Sequence, residues 1–234
     1  MKKCYGSAPP GLALKDLTGK LVVIEGQDSS GRTTHVAKLA QWLEVEGYAV
    51  VQVGLRGSAL VAPELENARE GNTLSPRTMS LFYATDFYDQ LENKIAPALR
   101  AGAVVLADRY IFTLMARDLV RGAELEWVEN LYSKAIVPDH LFFLQASTSA
   151  LLDRRLSEHD DLDYWESGMD LGISRDWHAS FTRYQRRMRE QFQVLGKRYG
   201  FEVVNANRSI AAVQRDLKAR LQVLLREGGA PWAR

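Results

Sequence analysis

The sequence predicts a doubly wound α/β fold, a five-stranded parallel sheet flanked by helices with a lid segment. Three observations predict it. Short apolar runs recur at residues 21–25, 49–53, 103–107, 141–144 and 201–204, each the length of a strand buried on both faces. Stretches of helical periodicity separate these runs, the alternation that builds parallel sheets. A glycine-rich loop, residues 26–33, joins the first strand directly to the first helix.

That loop organises the chain. It reads Gly26-Gln27-Asp28-Ser29-Ser30-Gly31-Arg32-Thr33, the G-x-x-x-x-G-K-[ST] pattern with arginine in the lysine position, and Thr34 follows it into the helix. Glycines at both ends allow a tight turn whose N–H groups converge at a helix N-terminus, a site for a polyanion. The sheet is thereby of the P-loop NTPase type. In such a loop the Thr33 hydroxyl ligates Mg²⁺ and the cation at position 32 bridges the outer phosphates of ATP.

The remaining elements follow in order. Residues 1–19, with Pro9 and Pro10, lack periodicity and read as an N-terminal extension to a single domain spanning 20–226. Val36, Leu39, Ala40 and Leu43 mark the first helix, and Gly47 closes it. Arg56 lies in the loop after the second strand, at the sheet edge where ligands bind in parallel folds. Ser75 and Pro76 begin a helix predicted to run unbroken to about Arg100. The third strand ends in Asp108-Arg109-Tyr110, a charged pair too costly to bury without partners. Two helices, 113–121 and 124–135, lead to the fourth strand, and Ser147 or Thr148 caps the next helix. Residues 158–176 are acidic, contain Gly168 and Gly172, and read as a lid. A helix over 177–199, the fifth strand, a helix over 210–225 and a short tail, 227–234, complete the chain.

Composition narrows the function. The 234 residues carry a net charge of +1, so no global field attracts nucleic acid or a membrane surface. No apolar run reaches the roughly 18 residues that span a bilayer, and the expected location is cytoplasmic. The single cysteine, Cys4, excludes an internal disulfide and a cysteine-based zinc site. The histidines at 35, 140, 159 and 178 lack ligand spacing.

With the loop, the Asp108-Arg109-Tyr110 run and the lid in place, the sequence resembles the thymidylate kinase family of nucleoside monophosphate kinases. Four blocks carry the resemblance: residues 23–34, Leu81-Phe82-Tyr83-Ala84-Thr85-Asp86, residues 102–110, and Pro138-Asp139. The resemblance implies ATP- and Mg²⁺-dependent phosphoryl transfer to a nucleoside monophosphate, dTMP giving dTDP. By it, residues 26–34 hold ATP, Thr33 and Asp108 serve the metal, and Arg32, Asp108, Arg109 and the lid's Arg155 are catalytic. Asp28, Arg56, Phe82, Arg109 and Asp118 would meet the acceptor. The partners it implies are small nucleotides and a second copy in a homodimer.

Departures from the family pattern accompany the match. Arg32 replaces the loop lysine, Phe87 stands where the family usually carries arginine, and Arg117-Asp118 replace a Tyr-Gln pair whose glutamine helps read thymine. The loop after the second strand keeps Arg56 but lacks an Arg-Glu-Pro run. An ionised aspartate only accepts hydrogen bonds, so Asp118 is expected to point elsewhere, to Arg117 or Arg121, or to meet a different base. A non-catalytic nucleotide-binding homologue and a nucleoside kinase of similar fold are the alternative functions.

Overall fold

A computed structural model of the chain describes residues 1–71, 74–158 and 162–227. Its strands are β1 (Lys20–Gly26), β2 (Val50–Gly54), β3 (Val104–Asp108), β4 (His140–Gln145) and β5 (Glu202–Asn205), all parallel in the order β2-β3-β1-β4-β5. Because side chains alternate along a strand, β1 divides its apolar residues between two cores. Val22 and Ile24 meet Val36 and Leu39 of α1 (Arg32–Val45) and Val213 and Leu217 of α9 (Ile210–Glu227). Leu21 and Val23 belong to the opposite core, with α3 (Pro76–Gln90), α4 (Ala96–Arg100), α5 (Ile111–Val120) and α8 (Trp177–Tyr199). Continuous apolar strands are therefore the sequence trace of a sheet covered on both faces.

Three features differ from the sequence reading. The helix expected over 75–100 starts as predicted, with Ser75 Oγ accepting from Thr78 N at 3.3 Å, but passes through a π-helical turn, Leu91–Ile95, before α4. Pro97 has no N–H for the carbonyl four residues back, and the ladder widens ahead of it. A helix absent from the sequence reading, α2 (Ala62–Glu70), buries only Leu65 and Arg69, so no apolar stripe announces it. The second helix after β3, α6 (Leu125–Leu131), stops short of 135.

The N-terminal extension is tied down. Cys4 forms an antiparallel bridge with Ile136, Val137 N donates to Lys3 O at 2.8 Å, and Tyr5 packs edge-on against Phe112 and Tyr199. Asp139 accepts from Leu21 N at 2.7 Å and pairs with Lys2, which joins this strap to the start of β1.

Of the predicted lid, residues 159–161 lie outside the described residues, as do 228–234 of the predicted tail. Residues 162–176 follow α7 (Thr148–Glu158) and are bonded to Arg121, at the C-terminal end of α5, and to α8. Arg121 holds both carboxylate oxygens of Asp170 along one guanidinium edge, Nε to Oδ2 at 2.8 Å and Nη2 to Oδ1 at 3.1 Å, and lies over the Trp165 and Tyr184 rings. Trp165 Nε1 donates to Arg69 O at 3.0 Å, and Ser180 Oγ to Ser167 O at 2.8 Å. Among the described residues no helix is long and apolar enough to cross a membrane.

Candidate active site

The loop after β1 turns where the chain permits it. A side chain on Gly26 would meet Ser30 Oγ at 2.6 Å and Leu144 O at 2.8 Å, and Gly31 has φ 90° at the start of α1. Only glycine fits the first position without displacing backbone, and the second requires the left-handed region. The Arg32 side chain is buried and folds back onto this loop. Its terminal amine donates to the Gln27 carbonyl and to Ser30 Oγ at 3.3 Å, and its Nε lies 3.2 Å from Asp108 Oδ1. Thr33 Oγ1 donates to Asp108 Oδ2 at 2.6 Å. Two adjacent hard oxygens beside a phosphate loop suit Mg²⁺, which takes one or two protein ligands and completes its shell with phosphates and water. Among the described residues no cluster of three or more Asp, Glu, His or Cys side chains offers an all-protein cage.

Arg109 follows β3 in the left-handed region, φ 72°, with its N–H on Ile24 O at 3.0 Å. Its guanidinium pairs with Asp28, and Arg117 of α5 reaches the same oxygen of Asp28 at 3.3 Å. Burial would raise the Asp28 pKa, but Arg109, Arg117 and Arg32 outweigh it and hold the carboxyl well below the usual carboxylate range. Gln185 of α8 donates to the other oxygen at 3.4 Å, and Gln27 donates to Gln185 O at 2.7 Å, so α8 is joined to the loop.

Glu25 explains how the turn after β3 is held. Its carboxylate is buried; Oε1 accepts from Tyr110 N at 2.8 Å and Thr113 N at 3.2 Å, and Oε2 from Thr113 Oγ1 at 2.5 Å. These are the unpaired donors at the start of α5, which a carboxylate satisfies. Asp86 does the same for the loop after β2, accepting from Arg56 N and Ser58 N, each at 2.8 Å.

A chamber of about 190 Å³ opens at the carboxyl ends of β1, β2 and β3, bordered by Arg32, Arg56, Arg69, Arg109 and Arg117 with Thr33, Asp108, Tyr83 and Glu166. Arg56 adopts φ 61° and pairs with Glu66. The structure thus brings Asp28, Arg32, Thr33, Arg56, Asp108 and Arg109 together. It places three other candidates differently. Phe82 packs against the core while its neighbour Tyr83 lines the chamber. Arg155 pairs with Glu166 at 3.5 Å, whereas Arg154 donates to Ser30 O at 3.3 Å and to Ala206 O at 2.7 Å, next to the phosphate loop. Asp118 lines a second cavity, reached past Tyr83, Arg69 and Arg117. Phe87 is buried among Tyr88, Tyr110 and Tyr132.

Sequence reasoning missed Glu25, Arg69, Tyr83, Arg154, Glu166 and Gln185 as contributors. For Tyr83 and Arg154 the signal was one residue away, in neighbours that share their motif; for Arg69, Glu166 and Gln185 no local pattern exists.

A glycine-framed loop leading into a helix N-terminus and five guanidinium groups around one cleft suit phosphate oxygens, and such a loop after the central strand of this sheet order is the architecture of the P-loop class. Comparison with known proteins narrows the class. The thymidylate kinase family model matches residues 24–217, and the chain belongs to this family of nucleoside monophosphate kinases. It is 32% identical over 203 residues to a probable thymidylate kinase 2 of Saccharolobus solfataricus, covering 86% of this chain and 95% of that one. A probable thymidylate kinase of Thermococcus kodakarensis is 29% identical over 220 residues, 88% of this chain and 98% of its own. A thymidylate kinase of Clavibacter sepedonicus is 28% identical over 226 residues, 92% of this chain and all of its own.

Proposed function

We propose that the protein transfers the γ-phosphoryl group of ATP to the phosphate of dTMP, giving dTDP and ADP. The observation that carries this reading is the convergence of Thr33, Asp108, Arg32 and the Asp28–Arg109 pair on one chamber beside the phosphate loop. The loop N–H groups hold the donor phosphates. Arg109 leaves Asp28 in part to hold the acceptor phosphate, and Arg32 turns from the loop carbonyl to the outer donor phosphates, where charge moves during transfer. An acceptor phosphate oxygen then attacks the γ-phosphorus as the bond to the bridging oxygen breaks. Thr33 and Asp108 would hold Mg²⁺, which when bound neutralises the outer phosphates. Asp28, freed on one side, faces the acceptor sugar.

Residues 20–226 form the kinase domain in this reading. Residues 158–176 act as its lid, with Arg155 of α7, just before it, reaching the donor when the lid closes. A homodimer working in the cytoplasm is part of the same proposal. Incubation with ATP, Mg²⁺ and a panel of nucleosides and monophosphates, followed by ADP release, tests it. Turnover with dTMP is expected; turnover on nucleosides alone, or ATP binding without turnover, would favour the nucleoside kinase or the inert binder.

A further inference from the structure

The turn that carries Arg109 is held from two directions. Glu25 takes the N–H groups of Tyr110 and Thr113, and the N-terminal strap takes the side chains of Tyr110 and Phe112. Residues 3–6 run antiparallel to residues 133–137. Val137 N donates to Lys3 O at 2.8 Å, Tyr5 N to Ala135 O at 3.1 Å and Gly6 N to Ser133 O at 2.6 Å. Between these bonds lies Ile136, the bridge partner of Cys4, whose carbonyl accepts from the buried Tyr110 hydroxyl at 3.1 Å. The Tyr5 ring sets its edge against Phe112, centroids 6.0 Å apart, and against Tyr199, 5.2 Å apart. Phe112 is fully buried in the first turn of α5. The strap therefore reaches the residue after Arg109 through Ile136, and the first turn of α5 through Tyr5.

Both ends of the strap are fitted to the fold. Lys2 is buried and pairs with Asp139, whose carboxylate also accepts from Leu21 N at 2.7 Å, at the start of β1. A Cβ on Gly6 would come within 3.0 Å of the Ser133 side chain, so glycine permits the close approach there. None of these residues borders the chamber, and they precede the stretch that carries the family match.

Resting on the kinase reading above, we propose that Tyr5 is a positioning residue for Arg109, so that the N-terminal strap sets how tightly the acceptor phosphate is held. A residue other than glycine is disfavoured in the left-handed region and stays there only where its surroundings leave no alternative. Arg109, at φ 72°, is such a residue, and the strap and Glu25 are the surroundings that fix the turn after it. Loosening the strap lets this turn relax and carries the guanidinium away from the acceptor phosphate. The phosphate loop, framed by β1 and α1, keeps its shape, so donor binding is spared.

The test uses the whole chain and compares the natural protein with Tyr5→Ala, Tyr5→Phe, Tyr110→Phe and the double variant Tyr5→Ala/Tyr110→Phe. Circular dichroism establishes that each is folded, and KM for dTMP and for ATP is measured together with kcat. Tyr5→Ala should raise the KM for dTMP roughly three- to tenfold, the span of such aromatic contacts, and leave that for ATP within about twofold. Tyr5→Phe keeps the ring and should match the natural protein. Tyr110→Phe loses only the bond to Ile136 and should shift the dTMP value in the same direction. Because both changes act through one turn, the double variant should fall short of the product of the two effects. Tyr110→Phe, the milder change, decides the matter should Tyr5→Ala fail to fold. An unchanged KM for dTMP, or an equal rise for ATP, overturns the positioning role and leaves the kinase reading standing. Absence of turnover with every monophosphate in the natural protein overturns both.

Discussion

Arg32 and Asp108 lie 3.2 Å apart, Nε to Oδ1, while Thr33 donates to the other oxygen of the same carboxylate. The guanidinium also reaches the Gln27 carbonyl, so the arginine is bonded on more than one edge, which a lysine ammonium cannot reproduce in the same plane. Arg32→Ala should cost on the order of 3 kcal/mol in the transferred state, about a hundredfold in kcat, with a smaller loss of ATP affinity, because loop N–H groups bind phosphates without it. Arg32→Lys should also be slower than the natural protein. Single-turnover rates and ATP titrations check both, and a lysine variant faster than the natural protein would show that the guanidinium hinders transfer.

Glu25 should act on Arg109 from a distance. Its removal in Glu25→Ala strands the N–H groups of Tyr110 and Thr113, at a cost of about 1–3 kcal/mol each where they stay buried, and loosens the turn that keeps Arg109 at φ 72°. Urea denaturation should register the stability loss, and the KM for the acceptor should rise more than the KM for ATP. Glu25→Gln, which keeps an acceptor at Oε1, should recover most of both. Equal loss in the two variants would mean that the charge, not the hydrogen bonding, is what the turn requires.

Asp118 weakens the fold at neutral pH, where its buried carboxyl is ionised. Its folded pKa, about 6, is above the unfolded value of roughly 3.9, so the folded state binds more protons between those values and stability falls as pH rises through them. The difference amounts to about 3 kcal/mol above pH 6. Asp118→Asn should therefore be more stable than the natural protein at pH 7.5, with the gap closing toward pH 4. Urea midpoints at the two pH values measure this, and a variant that is less stable at pH 7.5 would refute it.

The Arg121–Asp170 pair fastens residues 162–176 to α5, with the guanidinium also hydrogen-bonded to the Tyr184 hydroxyl at 3.0 Å. Arg121→Ala leaves the Asp170 carboxylate without this partner and removes the cation from the Trp165 and Tyr184 rings. Limited proteolysis should then cut this segment several-fold faster, and an ATP analogue should slow cleavage in the natural protein. Cleavage that is unaffected by both the substitution and the nucleotide would remove the case for a lid.

The sequence by itself determined the sheet and its phosphate loop. Strands buried on both faces are written as uninterrupted apolar runs, and a loop that must turn tightly into a helix requires glycines at set spacing, so both signals are local. The Asp108-Arg109 pair was legible for the same reason, since charge at the end of a buried strand must find partners. Tertiary structure alone decided the rest of the site. Glu25 sits in a strand like any other residue until α5 is laid over it, and Arg69 belongs to a helix with one apolar anchor, which periodicity does not detect. Tyr83 rather than Phe82 faces the chamber because a helix turns 100° per residue and a pattern within one motif does not say which neighbour is inside. The free oxygen of Asp118 is the extreme case: it depends on Ser80 taking one lone pair and on Arg117 and Arg121 being drawn away by Asp28 and Asp170, carboxylates about 90 and 50 positions away, a competition for partners that only the packed chain can resolve.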